Sequence, residues 1–345
     1  MDIGIIKYFI KNRLANFMYN FGFSKLYLKK KMKQSALILA YHRIRPKSYI
    51  ESNMLMNGMY ISTEAFESQI SWLKNNYKVV PLADIINDIS HKIQWQTPRC
   101  AITFDDGWKD NYDYGFPILI KHNLPATIFV IGNYIGKSEP NCYDTFFEIV
   151  CSAASFQMEI ITSIPIIDNF LKQNDVVDIK EKARLSINML RKLSYRDFRK
   201  ACESLNNNYY RHLNTNHLNK KYSMLSFNNM REMAKHKIDF GYHSKSHFML
   251  TKIPNDKLKD EIAIPDALFA KHNINIKRFF CYPDGQLNKR IISLLTKSGY
   301  IGATSLISGF NSINTNPFAL KRFNLHEGNS STIPLFLATI GNIQG

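Results

Sequence analysis

Residues Cys100 to Phe104 form a short apolar run that ends abruptly in Asp105-Asp106-Gly107. This junction limits what the chain can fold into more than any other stretch. An apolar run of this length, broken at once by glycine, reads as a buried strand. Two adjacent carboxylates then stand where a strand meets a loop, which is where parallel α/β sheets and barrels gather their ligands. Side chains alternate along a strand, but a turn can aim both carboxylates at one cavity. Held close, they ionise together cheaply only with a cation between them. Asp-Asp-Gly is also an ordinary way to end a strand, so a second motif has to decide.

That motif is His243-Ser244-Lys245-Ser246-His247. Two imidazoles four residues apart meet on one face of a helical turn and can hold one ion. They follow Ile238-Asp239-Phe240-Gly241-Tyr242, which reads as another short strand. One carboxylate and two imidazoles leave open positions for water and substrate, the layout of a hydrolytic metal centre.

Thr103-Phe104-Asp105-Asp106-Gly107 and His243-Ser244-Lys245-Ser246-His247 resemble the first two motifs of the polysaccharide deacetylase family, carbohydrate esterase family 4. Phe280-Cys281-Tyr282-Pro283-Asp284-Gly285 resembles its third motif, and Leu39-Ala40-Tyr41-His42-Arg43-Ile44 the opening of the subgroup that trims exopolysaccharides. The likeness covers about residues 36–132 and 221–330, in the family's order and spacing. It implies an α/β fold, the distorted, incomplete (β/α) barrel of these deacetylases, and it assigns roles. Asp106, His243 and His247 would hold a divalent ion, for which zinc suits the donor set. Asp105 would be the general base that takes the proton of a metal-bound water, with a second metal ligand as its competing role. His42 would protonate the leaving amine, with His326, after the last strand, as runner-up. Tyr282, Pro283 and Asp284 would wall the groove. Trp108 and Tyr112 could stack on a sugar ring, although aromatic residues at such spacing are more often core. Many members carry an arginine two residues before the motif proline. Here that position is Cys281, so another group must steady Asp105, and Arg278 and Arg322 are the stand-ins.

Around these motifs the chain divides into three. Residues 1–34 carry Ile6, Phe9, Ile10, Leu14, Phe17, Met18 and Phe21 at helical spacing, interrupted by Lys7, Lys11 and Arg13 and followed by Lys29-Lys30-Lys31 and Lys33. This is either an amphipathic helix on an anionic membrane face or a helix packed on the domain with a basic outer side. Its apolar run is too broken for a signal peptide or a membrane span. Residues 35–132 and 221–345 alternate strands and helices as βαβ units of a parallel sheet. Residues 133–220 are polar and Asn/Lys-rich, and read as an inserted helical subdomain near the mouth of the site.

A net charge of +17 favours anionic partners, but no nucleic-acid-binding signature accompanies it. The five cysteines form no CxxC pair and are odd in number, which suggests free thiols in a reducing compartment. The expectation is therefore a cytoplasmic enzyme, peripheral on the inner membrane face. It would remove N-acetyl groups from an amino sugar of a surface glycan or its lipid-linked precursor. The alternatives are sugar O-deacetylation, a non-catalytic glycan- or lipid-binding protein on the same fold, and a basic membrane-surface scaffold.

Overall fold

The computed structural model describes residues 3–22, 28, 31–32, 34–156, 162–172, 178–208 and 220–341. Side chains of 3–10, 152–156 and 206–208 lie outside that description, as do Lys29, Lys30 and Lys33 of the N-terminal lysine cluster.

Ten strands are present among the described residues: β1 (Ala36–Tyr41), β2 (Arg43–Arg45), β3 (Tyr60–Ser62), β4 (Lys78–Val79), β5 (Arg99–Phe104), β6 (Ala126–Val130), β7 (Ile238–Tyr242), β8 (Ile276–Cys281), β9 (Gly302–Thr304) and β10 (Phe323–Asn324). Seven of them form one curled parallel sheet in the order β10-β1-β5-β6-β7-β8-β9, and β4 also pairs with β5. The β1–β5 register runs unbroken from Ala36 opposite Arg99 to Tyr41 opposite Phe104. Parallel strands need crossover helices, which cover both faces and explain the unbroken apolar character of these runs.

Alternation along the strands sorts the core in two. Leu37, Leu39, Cys100, Ile102 and Phe104 face outward and pack with Phe66, Ile70 and Leu73 of the helix Thr63–Asn76. Ala36, Ile38, Ala101, Phe129 and Phe279 face the concave side, which Leu82, Ile85, Ile86 and Ile89 of the helix Leu82–Ser90 fill from below. The interior is tight. A side chain at Gly241 would lie 2.7 Å from the Phe129 ring and 3.1 Å from the Phe279 carbonyl, so only hydrogen fits there. Between β9 and β1 the barrel is closed by an irregular segment. Leu320 donates its N–H to Ala303 at 3.0 Å, and Leu39 stands opposite Phe323 two strands along. This is the distorted (β/α) barrel expected from the motifs.

Helices Cys142–Phe156, Pro165–Lys172, Ile179–Lys192 and Tyr195–Asn208 follow β6 and build a separate core around Phe146, Phe147, Ile167, Ile187, Leu190 and Leu205. The first and last of them are joined by a disulfide, Cys142–Cys202, with a Cα–Cα separation of 5.5 Å. Cys100, Cys151 and Cys281 are free. The expectation of five unpaired thiols is therefore wrong. Two cysteines 60 residues apart share no local signature, and only the packing of their helices brings them together. Closing a loop of that length restrains the unfolded chain by about 4 kcal/mol in the chain-entropy picture. Reduction, or Cys202→Ser, is expected to lower the unfolding free energy of this helical unit, read from its urea transition, by up to that amount, with the barrel transition unchanged.

The N-terminal helix Ile3–Asn20 packs on the domain, burying Ala15 against Leu335 and Ala338 of the helix Ile333–Ile340. It leaves Leu14, Phe17 and Phe21 exposed. No helix among the described residues is long and apolar enough to cross a membrane.

Candidate active site

The site is built at the carboxyl ends of β1, β5, β7 and β8. Ala101 and Thr103 face the barrel interior, and Asp105 continues that alternation one residue beyond β5. Asp106 would point away, but its backbone turns into the left-handed region (φ +73°), followed by Gly107 at φ +79°. That turn aims both carboxylates inward. A Cβ at Gly107 would also stand 3.0 Å from Val130, so the residue combines a conformational with a steric requirement.

His243 follows β7 directly, its N–H donating to the Val130 carbonyl at 2.9 Å. The two histidines do not meet on a helical turn. Ser244 and His247 both take positive φ, and the Ser244 hydroxyl accepts the His247 N–H at 2.9 Å. This tight loop brings the rings to 4.8 Å between centroids. Asp106 Oδ1 lies 3.4 Å from His243 Nε2 and 3.3 Å from His247 Nε2.

Hydrogen bonds around the cluster decide what it can hold. His243 Nδ1 lies 2.8 Å from the Cys281 carbonyl, which can only accept, so Nδ1 carries a proton and Nε2 is the nitrogen left to bind an ion when the ring is neutral. Trp108 Nε1–H donates to Asp106 Oδ2 at 2.9 Å. Asp106 Oδ1 is buried without a hydrogen-bond partner among the described residues. With both rings neutral and protonated on Nδ1, three lone-pair donors would converge on one point. Donors about 2.1 Å from a shared tetrahedral ion stand roughly 3.4 Å apart, the spacing found here. Asp106, His243 and His247 fit a divalent metal. Burial would raise the Asp106 carboxyl, yet its contacts with His243 and His247 hold it well below the usual carboxylate range.

Asp105 is held differently. Arg322, fully buried, forks both nitrogens onto it: Nη1 to Oδ1 at 2.7 Å and Nη2 to Oδ2 at 2.8 Å. Its remaining donors reach Thr103 Oγ1 at 2.9 Å, Ser305 O at 2.9 Å and Cys281 Sγ at 3.1 Å, so all five N–H groups are engaged. Burial pushes the Asp105 carboxyl up, but Arg322 brings it down to about 2. Arg322 is therefore the group that steadies Asp105. Arg278 forms an exposed pair with Asp266 at 2.7 Å. His42 Nε2 stands 3.9 Å from Asp105 Oδ2, and its Nδ1 is buried without a partner among the described residues. Burial lowers the His42 pKa below the ordinary imidazole value, which leaves a neutral ring.

These groups line a cavity of about 310 Å³, whose walls include Tyr282 and Asp284 from the third motif. Three expected contacts fall outside it. Trp108 is 1% exposed, lies under the Arg43 guanidinium at 4.1 Å and serves Asp106, so it stacks on protein and not on a sugar. Pro283 is buried behind Tyr282 and does not reach the cavity. His326 is absent from the lining; burial depresses it to about 4, and Asn329 Oδ1 accepts its backbone N–H at 2.9 Å. The sequence reading missed Asn141, Tyr143, Asp144 and Arg191, which the helical insertion contributes to the wall. Arg191 Nε lies 3.1 Å from Asp284 Oδ1 and the Tyr143 ring meets His247 edge-on at 6.3 Å, so the insertion docks on two of the motifs. The only local signal was Asn141, a good helix N-cap before an apolar helix.

Barrel and site together define a class, the carbohydrate deacetylases. Comparison with known proteins agrees. A family model described as polysaccharide deacetylase matches residues 93–158 and 202–303, and over those segments the chain is similar to that family. A poly-beta-1,6-N-acetyl-D-glucosamine N-deacetylase of Staphylococcus epidermidis is 27% identical over 221 residues, covering 61% of this chain and 72% of the relative. Its Staphylococcus aureus counterpart is 33% identical over 113 residues, 30% of this chain and 38% of the relative. Among solved structures, the Streptococcus pyogenes deacetylase PplD in complex with acetate aligns over 89% of this chain and 98% of its own, at 17% identity and a TM-score of 0.56. IcaB from Ammonifex degensii aligns over 90% and 98%, again at 17% identity and a TM-score of 0.56. At such identities the structures speak for the fold alone.

Proposed function

We propose that this protein is a metal-dependent N-deacetylase acting on N-acetylated amino sugars of a cell-surface polysaccharide, with zinc as its ion. The observation that carries this reading is Asp106 Oδ1, buried and unpartnered, facing two imidazole nitrogens beside an arginine-held second carboxylate. The names of the staphylococcal relatives point to a β-1,6-linked N-acetylglucosamine polymer as the first substrate to try.

Asp106, His243 and His247 would hold the ion, which when bound polarises a carbonyl and acidifies water. Asp105 then takes the proton of the attacking water. Its low proton affinity keeps it ionised at neutral pH, and the Arg322 fork fixes its orientation. His42, neutral at rest, takes over that proton from Asp105, whose Oδ2 lies 3.9 Å from its Nε2, and passes it to the leaving amine. Its Nδ1 has no hydrogen-bond partner among the described residues, so no protein group competes for that nitrogen there.

The Cys142–Cys202 bridge removes the argument from free thiols, since disulfides persist mainly in oxidising compartments. A peripheral contact with an anionic membrane would be made by the exposed Leu14, Phe17 and Phe21, with Arg13 beside them.

The test is acetate release from β-1,6-linked N-acetylglucosamine oligomers, with chelator and with zinc restored. Release that stops on chelation and returns with zinc is expected. Release that is indifferent to chelator refutes the metal, and no release from the zinc-loaded protein on these oligomers, chitin oligomers or a lipid-linked N-acetylhexosamine refutes the activity.

A further inference from the structure

The helical insertion brings one carboxylate to the cavity for which the barrel has no use. Asp144 is 6% exposed, lines the cavity, and its Oδ2 has no hydrogen-bond partner among the described residues. The two cations that act on it, Arg43 and Lys221, are committed elsewhere. Arg43 donates to Asp110 at 2.8 Å and to the Tyr60 hydroxyl at 2.7 Å, and Lys221 Nζ donates to Glu148 at 2.5 Å. Burial accordingly pushes the Asp144 carboxyl up to about 7, with Asp106 and Glu148 adding to the effect. A buried polar group without a partner calls for a reason, and a ligand that supplies the missing donor is one.

We infer that Asp144 is a substrate-binding residue, whose carboxyl accepts a hydrogen bond from a hydroxyl of the sugar held beside Asp106, His243 and His247. This rests on the amino-sugar reading of the site and deepens it, because it makes the insertion the element that selects the sugar.

The residue is presented rigidly. Asn141 Oδ1 caps the helix by accepting the N–H groups of Tyr143 at 2.9 Å and Asp144 at 3.1 Å. One turn further on, Glu148 accepts from Lys221 and from the Tyr222 hydroxyl, which ties the helix to the chain leading back into the barrel. Tyr143 meanwhile abuts His247. Asp144 is therefore fixed relative to the metal-ligand set by contacts on both sides. Elsewhere on the same cavity, Asp284 offers another carboxylate oxygen, Oδ2, without a partner among the described residues, while its Oδ1 is taken by Arg191. Two acceptors short of donors suit a hydroxyl-rich ring.

The experiment compares wild type with Asp144→Ala and Asp144→Asn on a β-1,6-linked N-acetylglucosamine tetramer and its singly deoxygenated analogues. Steady-state kinetics are read beside zinc affinity and thermal midpoint. Loss of this hydrogen bond is expected to raise KM about 3- to 10-fold in the alanine variant. Here kcat should stay within about threefold and zinc affinity should not change. The asparagine variant, whose amide oxygen still accepts, should recover most of the loss. One deoxy analogue should be as poor for wild type as the tetramer is for Asp144→Ala, with no further loss when the two changes are combined. An unchanged KM in both variants, with wild type active, overturns the assignment and leaves the deacetylase reading standing. A joint fall of kcat and zinc affinity overturns it in favour of a role through the metal ligands. Wild type inactive on this tetramer overturns the assignment, and inactivity on chitin oligomers and a lipid-linked N-acetylhexosamine as well refutes the deacetylase reading.

Discussion

Arg322→Met is expected to abolish measurable acetate release and to destabilise the fold by about 3–5 kcal/mol, the usual cost of stranding one member of a buried ion pair. The guanidinium saturates Asp105 and spans three more groups, Thr103, Ser305 and Cys281, from different parts of the barrel. Methionine of similar length leaves a buried carboxylate with no counter-charge. Asp105 would then bind a proton near neutrality and cease to act as a base. Arg322→Lys separates the two effects. Lysine keeps the charge but lacks the planar fork, so most of the stability should return while turnover stays at least 100-fold down, because the base is no longer oriented. Arg278→Ala is the control. Its pair with Asp266 is solvent-exposed, and the change should shift stability by less than about 1 kcal/mol and leave kinetics alone. Chemical denaturation and kinetics on the three variants check this directly. Wild-type activity in Arg322→Met would remove Asp105 from the mechanism.

The second large effect concerns the donor set. His243→Ala is expected to weaken zinc on the order of a thousandfold, about one ligand's share of a strong site, and to reduce acetate release to background. Trp108→Phe tests the outer support of the same set. It keeps the ring under Arg43 but deletes the N–H that occupies Asp106 Oδ2, so zinc affinity should fall 10- to 100-fold, the range typical of lost outer-shell hydrogen bonds. KM for substrate should not move, because the ring does not line the cavity. A raised KM with intact zinc affinity would return Trp108 to sugar stacking. Zinc competition titrations against a chromophoric chelator, run beside kinetics, read both numbers.

The legible part of this protein was its strand-end chemistry. Asp105, Asp106, His243 and His247 stand in short motifs where an apolar run meets a turn, and their roles depend on residue type, alternation and a few left-handed positions. Such features are local, so a sequence carries them in full. Even here the mechanism of convergence differed, since the histidines meet through a strained loop and not along a helix.

What required the tertiary structure were the contacts between distant segments. Arg278 and Arg322 look alike as residues. The pairing of β10 with β1 draws the segment before it into the barrel, which puts Arg322 inside with Asp105, while Arg278 stays at the surface. Trp108 could have faced solvent or core, and the Arg43 cage decided it. Cys142 and Cys202 are joined only because two helices of the insertion pack side by side. The sequence by itself determined the parallel α/β barrel, a metal-type donor set and the likeness to the polysaccharide deacetylases. The tertiary structure alone decided what steadies Asp105, what supports Asp106 and which insertion residues wall the cavity, because those depend on how the sheet closes and not on any residue's neighbours in the chain.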